Sequence, residues 1–128
     1  VEPGTRRALH ASSHGKAILA YLPEKERDAI LSRITLTRFT DRTITTRKGM
    51  LEEFMGIRAR GYAFDRAEGD EGVHCVSAPV LDRQGVAVAA LTTTGPAFRM
   101  PEASFDDIGK TVKKYADRVS RRLGYGLV

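Results

Sequence analysis

The side chains with chemical potential in this sequence are mostly short ones. Cys75 and Ser77 alternate along one apolar run, and Thr92 and Thr94 alternate along a second, with the polar break Asp82-Arg83-Gln84-Gly85 between them. Two period-two runs around a turn predict a β-hairpin, which places Cys75, Ser77, Thr92 and Thr94 on one face of a sheet. Small polar groups there leave room for a small ligand, where a plain core would carry Ile, Leu or Phe. A second concentration is Ser12-Ser13-His14-Gly15. Ser12 and Ser13 are N-cap candidates, and the free backbone N–H groups of a helix starting there suit a carboxylate. Gly15 in that first turn lowers helix propensity, which points to close packing or ligand approach. Thr92 and Thr94 can donate to the same anion, and Asp65 can accept from a hydroxyl, an amine or a water.

Catalysis and metal binding find less support. A thiol nucleophile needs a base in reach, and strand alternation sends His74 to the face opposite Cys75. A resolving thiol is excluded by the single cysteine, and His10, His14 and His74 lack metal-site spacing. No metal and no cofactor are expected. For Asp65, a structural hydrogen bond into the loop that follows stands beside a ligand contact as an alternative, and Thr92 and Thr94 also suit an ordinary strand.

The elements that would position these groups follow from pattern. After a short apolar lead-in at residues 8–11, a first helix is capped by Ser12 or Ser13, and its nearly all-apolar run 16–22 predicts burial on most sides. Pro23 opens a second helix with Glu24 and Glu26 against its dipole. Residues 35–46 show no period and predict a loop. Thr46 caps a third helix over 47–60, with Met50, Leu51, Phe54 and Ile57 inward and Gly61 as its left-handed stop. Residues 62–66 alternate, with Tyr62 and Phe64 on one face and Ala63 and Asp65 on the other, and predict a strand. Residues 67–72 form a loop into the hairpin. A last helix is expected to start at Ser104, with Asp107 completing a capping box, to bury Ile108, Val112, Tyr115, Ala116, Val119 and Leu123, and to end at Gly124.

The sum is one α+β domain over residues 1–128, with helices against an antiparallel sheet. Three strands are few for four helices, so further strands are expected upstream of Val1. Lys and Arg outnumber Asp and Glu by 21 to 16, a net charge of +5, but the basic residues are interspersed with acidic ones and show no nucleic-acid motif. No window reaches the run of about 18 apolar residues that spans a membrane, and no signal-peptide pattern opens the chain. A cytoplasmic location without membrane contact is expected.

Four motifs in order, His10-Ala11-Ser12-Ser13-His14-Gly15-Lys16-Ala17, Thr43-Ile44-Thr45, Ile57-Arg58-Ala59-Arg60-Gly61-Tyr62-Ala63 and Gly72-Val73-His74-Cys75-Val76-Ser77-Ala78-Pro79-Val80, followed by Thr92-Thr93-Thr94-Gly95-Pro96, resemble the IclR-type bacterial transcription regulators. The resemblance implies the C-terminal effector-binding domain, a GAF-like sheet flanked by helices, with the missing strands and a DNA-binding winged helix-turn-helix upstream. It also implies dimers, often paired into tetramers, with DNA contacted only through the upstream domain. The implied ligand-binding positions are Ser13, His14, Gly15, Asp65, Cys75, Thr92 and Thr94, around a small keto, hydroxy or aromatic carboxylate. His14 stands where relatives commonly carry an apolar or small side chain, and the two threonines stand where serine is commoner. The competing functions are a GAF-like enzyme using Cys75 and a pure dimerisation module.

Overall fold

In the computed structural model, which describes residues 2–126, three antiparallel strands form a sheet with helices on both faces. The strands are β1 (Ala63–Arg66), β2 (Val73–Leu81) and β3 (Ala87–Pro96), in the order β1-β2-β3. The helices are α1 (Ser13–Ala20), α2 (Glu24–Arg33), α3 (Arg47–Arg60) and α4 (Phe105–Arg122), with short 3-10 turns at Leu9–Ala11 and Glu102–Ser104.

The register decides which residues share a face. Cys75 pairs with Thr94 and Ser77 with Thr92 across β2–β3, while Asp65 pairs with Cys75 and Ala63 with Ser77 across β1–β2. Directly opposed residues point the same way, so Cys75, Ser77, Thr92 and Thr94 lie on one face, as the alternation predicts, and the pairing with β1 adds Ala63 and Asp65 to it. That face receives α1, which also packs on α3. The layer behind it is the apolar cluster of Ala17, Leu19, Ala20, Leu31, Met50, Phe54, Ile57 and Ala63. The opposite face carries Tyr62, Phe64, Val76, Ala78 and Val80 and is closed by Phe105, Val112 and Ala116 of α4. His74 turns to this side, with Nδ1 2.6 Å from the Met100 carbonyl and its ring edge-on to Phe105, so it is no base for Cys75.

Local signals explain the ends of the elements. Ser12 Oγ accepts from Gly15 N and Thr46 Oγ1 from Gly49 N, so both hydroxyls act as N-caps. Gly61, at φ 93°, and Gly124, at φ 96°, end α3 and the α4 region in left-handed geometry. Asp82 Oδ1 accepts from Gln84 N and Val86 N and fixes the hairpin turn. At the register shift between Val80 and Leu81, the freed Leu81 N donates to the buried Ser120 Oγ of α4.

Four local expectations are corrected. Pro23 stands just before α2 as its cap, since the helix begins at Glu24. Ser104 makes no capping bond: a 3-10 turn precedes α4, and the Ser104 hydroxyl donates to the Pro101 carbonyl. The apolar run that begins at Lys16 is buried as expected, but α1 stops at Ala20, and Lys16 itself is wholly buried with its amine against Glu53 and Glu68. The stripe of α4 is rotated. The helix buries Phe105, Gly109, Val112, Ala116 and Ser120, while Tyr115, Val119 and Leu123 are exposed, because the three strands are too narrow to cover that flank.

Candidate functional site

A cavity of about 330 Å³ opens between the N-terminal end of α1 and the sheet face that carries Asp65 and Cys75. Its wall is made by Arg6, Arg7 and Ala8 of the leading segment, Ala11 to His14 at the helix start, Phe39, Asp65 of β1, Gly69 and Asp70 of the loop, and Val73 and Cys75 of β2. The volume falls at the small end of ligand pockets, which run from about 300 to 1,000 Å³.

The helix start faces this space because of Gly15. A Cβ there would meet the Leu9 backbone and Ser12 Oγ, so glycine lets the 3-10 turn lie directly against α1. Gly15 therefore shapes the entry into the helix and is not itself on the cavity wall. Its N–H is taken by Ser12 Oγ, and Lys16 N donates to the Ser12 carbonyl. The N–H groups of Ser13 and His14 are the remaining donors of the first turn.

The hydroxyls form two short chains. Ser13 and Ser77 are 2.6 Å apart, and Ser77 is 2.7 Å from Thr92 Oγ1, so the helix start is tied to β2 and β3. The Cys75 thiol donates to Thr94 Oγ1 at 3.1 Å. The structure thus brings Ser13, His14, Asp65 and Cys75 together on the cavity, whereas Thr92 and Thr94 are exposed and reach it only through Ser77 and Cys75. Ser77 was visible in the alternation. Arg6, Arg7, Phe39 and Asp70 were not, because they lie in irregular segments where no periodicity marks them.

Burial sets the protonation states. It pushes the Asp65 carboxyl up, against the opposing pull of the Glu68 N–H that Oδ1 accepts at 2.7 Å. It also pushes the Cys75 thiol up, away from the thiolate that nucleophilic chemistry requires. For His14, burial comes first and the Arg7 charge second, and both lower its pKa, so the ring is neutral at neutral pH. No group of three or more potential ligands fit for a metal occurs among the described residues.

The Asp65 shift has a consequence for stability. Because the folded pKa lies above the unfolded one, the folded state holds the extra proton, and stability falls as pH rises from the unfolded value of 3.8 through the raised one. Asp65→Asn keeps an oxygen for the Glu68 N–H and removes the buried charge. The variant is expected to gain stability relative to wild type as pH climbs through that window and to hold the gain at neutral pH. Urea unfolding at stepped pH checks this, and a difference flat with pH contradicts it.

The rim is held by its own framework. Thr40 Oγ1 donates to the Ala67 carbonyl and Thr43 Oγ1 to the Glu68 carbonyl, both at 2.6 Å, which fixes the turn where Ala67 takes φ 58°. The 35–46 segment is thus irregular, as expected, but serves as a brace.

Fold and site together define an α+β domain with a cavity between a helix start and a sheet face. The family model for the bacterial transcriptional regulator IclR C-terminal domain matches residues 1–121, so the chain belongs to the IclR family of transcriptional regulators. The HTH-type transcriptional regulator BhcR of Paracoccus denitrificans is 40% identical over 125 residues, 98% of this chain and 43% of that protein. The Thermotoga maritima IclR structure superposes with a TM-score of 0.88 at 35% identity, covering 96% of this chain and 52% of that one. The PobR inducer-binding domain of Acinetobacter, a double mutant in complex with 3-hydroxybenzoic acid, gives 0.81 at 28% identity, covering 94% and 72%. The chain spans about half the length of the curated relatives it matches. The family is one of regulators and not of enzymes, which removes the catalytic alternative for Cys75. Among the described residues no helix is long and apolar enough to cross a membrane.

Proposed function

We propose that this chain is the effector-binding domain of a transcriptional regulator and that its effector is a small organic acid seated between α1 and the sheet. The cavity itself carries this reading, because a domain made only for dimerisation has no reason to leave about 330 Å³ unfilled beneath a helix start. Free N–H groups at Ser13 and His14 favour a carboxylate at one end. Asp65 at the other end repels one and favours a hydroxyl, amine or water. A keto, hydroxy or aromatic acid fits that polarity, and the 3-hydroxybenzoic acid held by the PobR domain is of this class.

In this reading Ser13, His14, Asp65 and Cys75 contact the ligand, Gly15 sets the helix approach, and Thr92 and Thr94 orient Ser77 and Cys75. The effector shifts the balance between arrangements of a cytoplasmic homodimer or tetramer, and a helix-turn-helix upstream of this domain alters its hold on the operator. Strands upstream of this chain complete a GAF-like sheet.

A panel of keto, hydroxy and aromatic acids in a thermal-shift assay tests the proposal. A ligand at 100 times its Kd stabilises the fold by about 2.7 kcal/mol, which raises the Tm of a domain this size by about 10 °C. Asp65→Ala is expected to remove most of that rise, and Thr92→Val, acting through Ser77, a smaller part. A melting temperature unmoved by every acid of the three classes overturns the proposal.

A further inference from the structure

The mouth of the cavity holds one ion pair. Arg7 Nη2 lies 2.9 Å from Asp70 Oδ2, with side chains 44% and 50% exposed, and both residues line the cavity. This is the only hydrogen bond of the Arg7 guanidinium to protein among the described residues, so most of its five N–H donors are free. The pair is also the side-chain link between the irregular leading segment and the 67–72 loop.

We infer that Arg7 is a carboxylate clamp that exchanges partners, giving up Asp70 and taking the effector's carboxylate in a bidentate grip. This rests on the effector reading above and goes beyond it by naming the charge that holds the acid and the group the acid displaces. Three observations support it. First, Arg6 and Arg7 both line the cavity, and Arg7 is the one already seated on a carboxylate at its mouth, whereas burial keeps the His14 ring neutral at neutral pH. Second, Arg7 lines the same cavity as His14 of α1 and Cys75 of β2, which stand on its opposite walls. Third, the existing pair is weak by position. An exposed single-point pair contributes little, whereas a carboxylate held two-pronged at the edge of a cavity binds more strongly.

The exchange also gives ligand binding a mechanical outcome. Asp70 is released from Arg7, so the leading segment follows the ligand while the loop stays on its Thr40 and Thr43 brace. Effector binding thereby reaches the rim without any rearrangement of the core.

The test is a titration of the chain with lactate and with its neutral amide, lactamide, followed by NMR at low salt, with 3-hydroxybenzoate as a second acid. Arg7→Gln is expected to weaken lactate roughly tenfold and leave lactamide unchanged, and Asp70→Asn, which removes the competitor, to tighten lactate roughly threefold. Both positions are half exposed, so the melting temperatures of the free variants stay at the wild-type value. Unchanged lactate affinity in Arg7→Gln, or weaker binding in Asp70→Asn, overturns the clamp and leaves the effector site standing. Failure of the wild-type chain to bind any keto, hydroxy or aromatic acid of the panel, these two included, overturns the clamp together with the effector reading.

Discussion

Lys16→Met is expected to destabilise the domain by about 3–5 kcal/mol, a large part of the roughly 5–15 kcal/mol that holds a domain of this kind together. The Lys16 side chain is 0% exposed, and its ammonium lies 2.6 Å from Glu53 Oε2 and 2.7 Å from Glu68 Oε1. Methionine matches its length and apolar stem, so packing is nearly conserved and the loss is electrostatic. Two carboxylates are left facing each other without the cation, one of them, Glu68, only 3% exposed. The cluster has one cation for two anions, so the two glutamates are unequal. Glu68 also accepts from Arg66 N through Oε2, and its neutralisation to Gln weakens both contacts. Glu53 sits at the edge, and Glu53→Gln leaves a balanced Lys16–Glu68 pair at little or no cost. Urea unfolding of the three single variants and of the triple Lys16→Met/Glu53→Gln/Glu68→Gln gives the ordering. The triple variant is expected to recover most of the loss, because an apolar replacement of a whole buried ion cluster is tolerated where removal of one member is not. A cost below about 1 kcal/mol for Lys16→Met contradicts the assignment.

The cluster matters beyond stability because of what it joins. Lys16 comes from the first turns of α1, Glu53 from α3 and Glu68 from the loop that follows β1. Asp65 caps that loop by accepting Glu68 N, and Gly69 packs so close to the Ala11 carbonyl that a Cβ there would stand 2.7 Å from it. The wall bearing Asp65 and the wall bearing Ser13 are therefore fixed to one buried ammonium. Arg7 has no comparable anchor, being held only by its exposed pair with Asp70.

Much of this was legible in the sequence, for reasons that also explain what was not. Strand parity is a strict two-residue rule, so Cys75, Ser77, Thr92 and Thr94 are placed on one face by pattern alone, whereas Asp65 joins them only through the β1–β2 register. The third helix was framed by a threonine cap and a left-handed glycine, two local signals, and its bounds match residue for residue. The role of Lys16 is invisible to local pattern, because its counter-charges stand at positions 53 and 68 and a short window shows only a lone lysine in an apolar run. For α4 the periodicity was real but served two faces: Val112 and Ala116 meet the sheet, while Tyr115, 47% exposed, and Val119 lie beyond its edge. How wide a sheet is cannot be read from one helix. The site was half legible in the same sense. Helix start and strand face have periods, whereas Arg7, Phe39 and Asp70 reach the cavity from segments that have none.

Gly15→Ala is expected to lower stability by about 1–3 kcal/mol and to abolish the response to acids, although alanine is the better helix former by roughly 1 kcal/mol. The sign is set by what the new methyl meets. Its nearest atoms include Leu9 Cα at 2.7 Å and the Leu9 carbonyl oxygen, both backbone, together with Ser12 Oγ at 2.7 Å. Leu9 cannot retreat freely, because His10 beside it is buried, with Nε2 2.8 Å from the Thr37 carbonyl. The helix start must move instead. That breaks the Ser12 cap on Gly15 N and pulls Ser13 from Ser77, 2.6 Å away, so the N–H groups that face the cavity lose their aim. Gly49 is the internal control, since it holds the same third position after the N-cap of α3. There a Cβ would meet the end of the Ile44 side chain, Cγ2 at 2.9 Å, which can shift, and Thr46 Oγ1 at 3.0 Å, which needs to give by only a few tenths of an ångström, and no backbone atom stands in its way. Gly49→Ala is expected to change stability by less than about 1 kcal/mol in either direction and to keep the acid response. Urea unfolding of both variants, with thermal shifts in the acid panel, separates the cases. Equal behaviour of the two would show that the close approach of Leu9 to α1 does not govern the site.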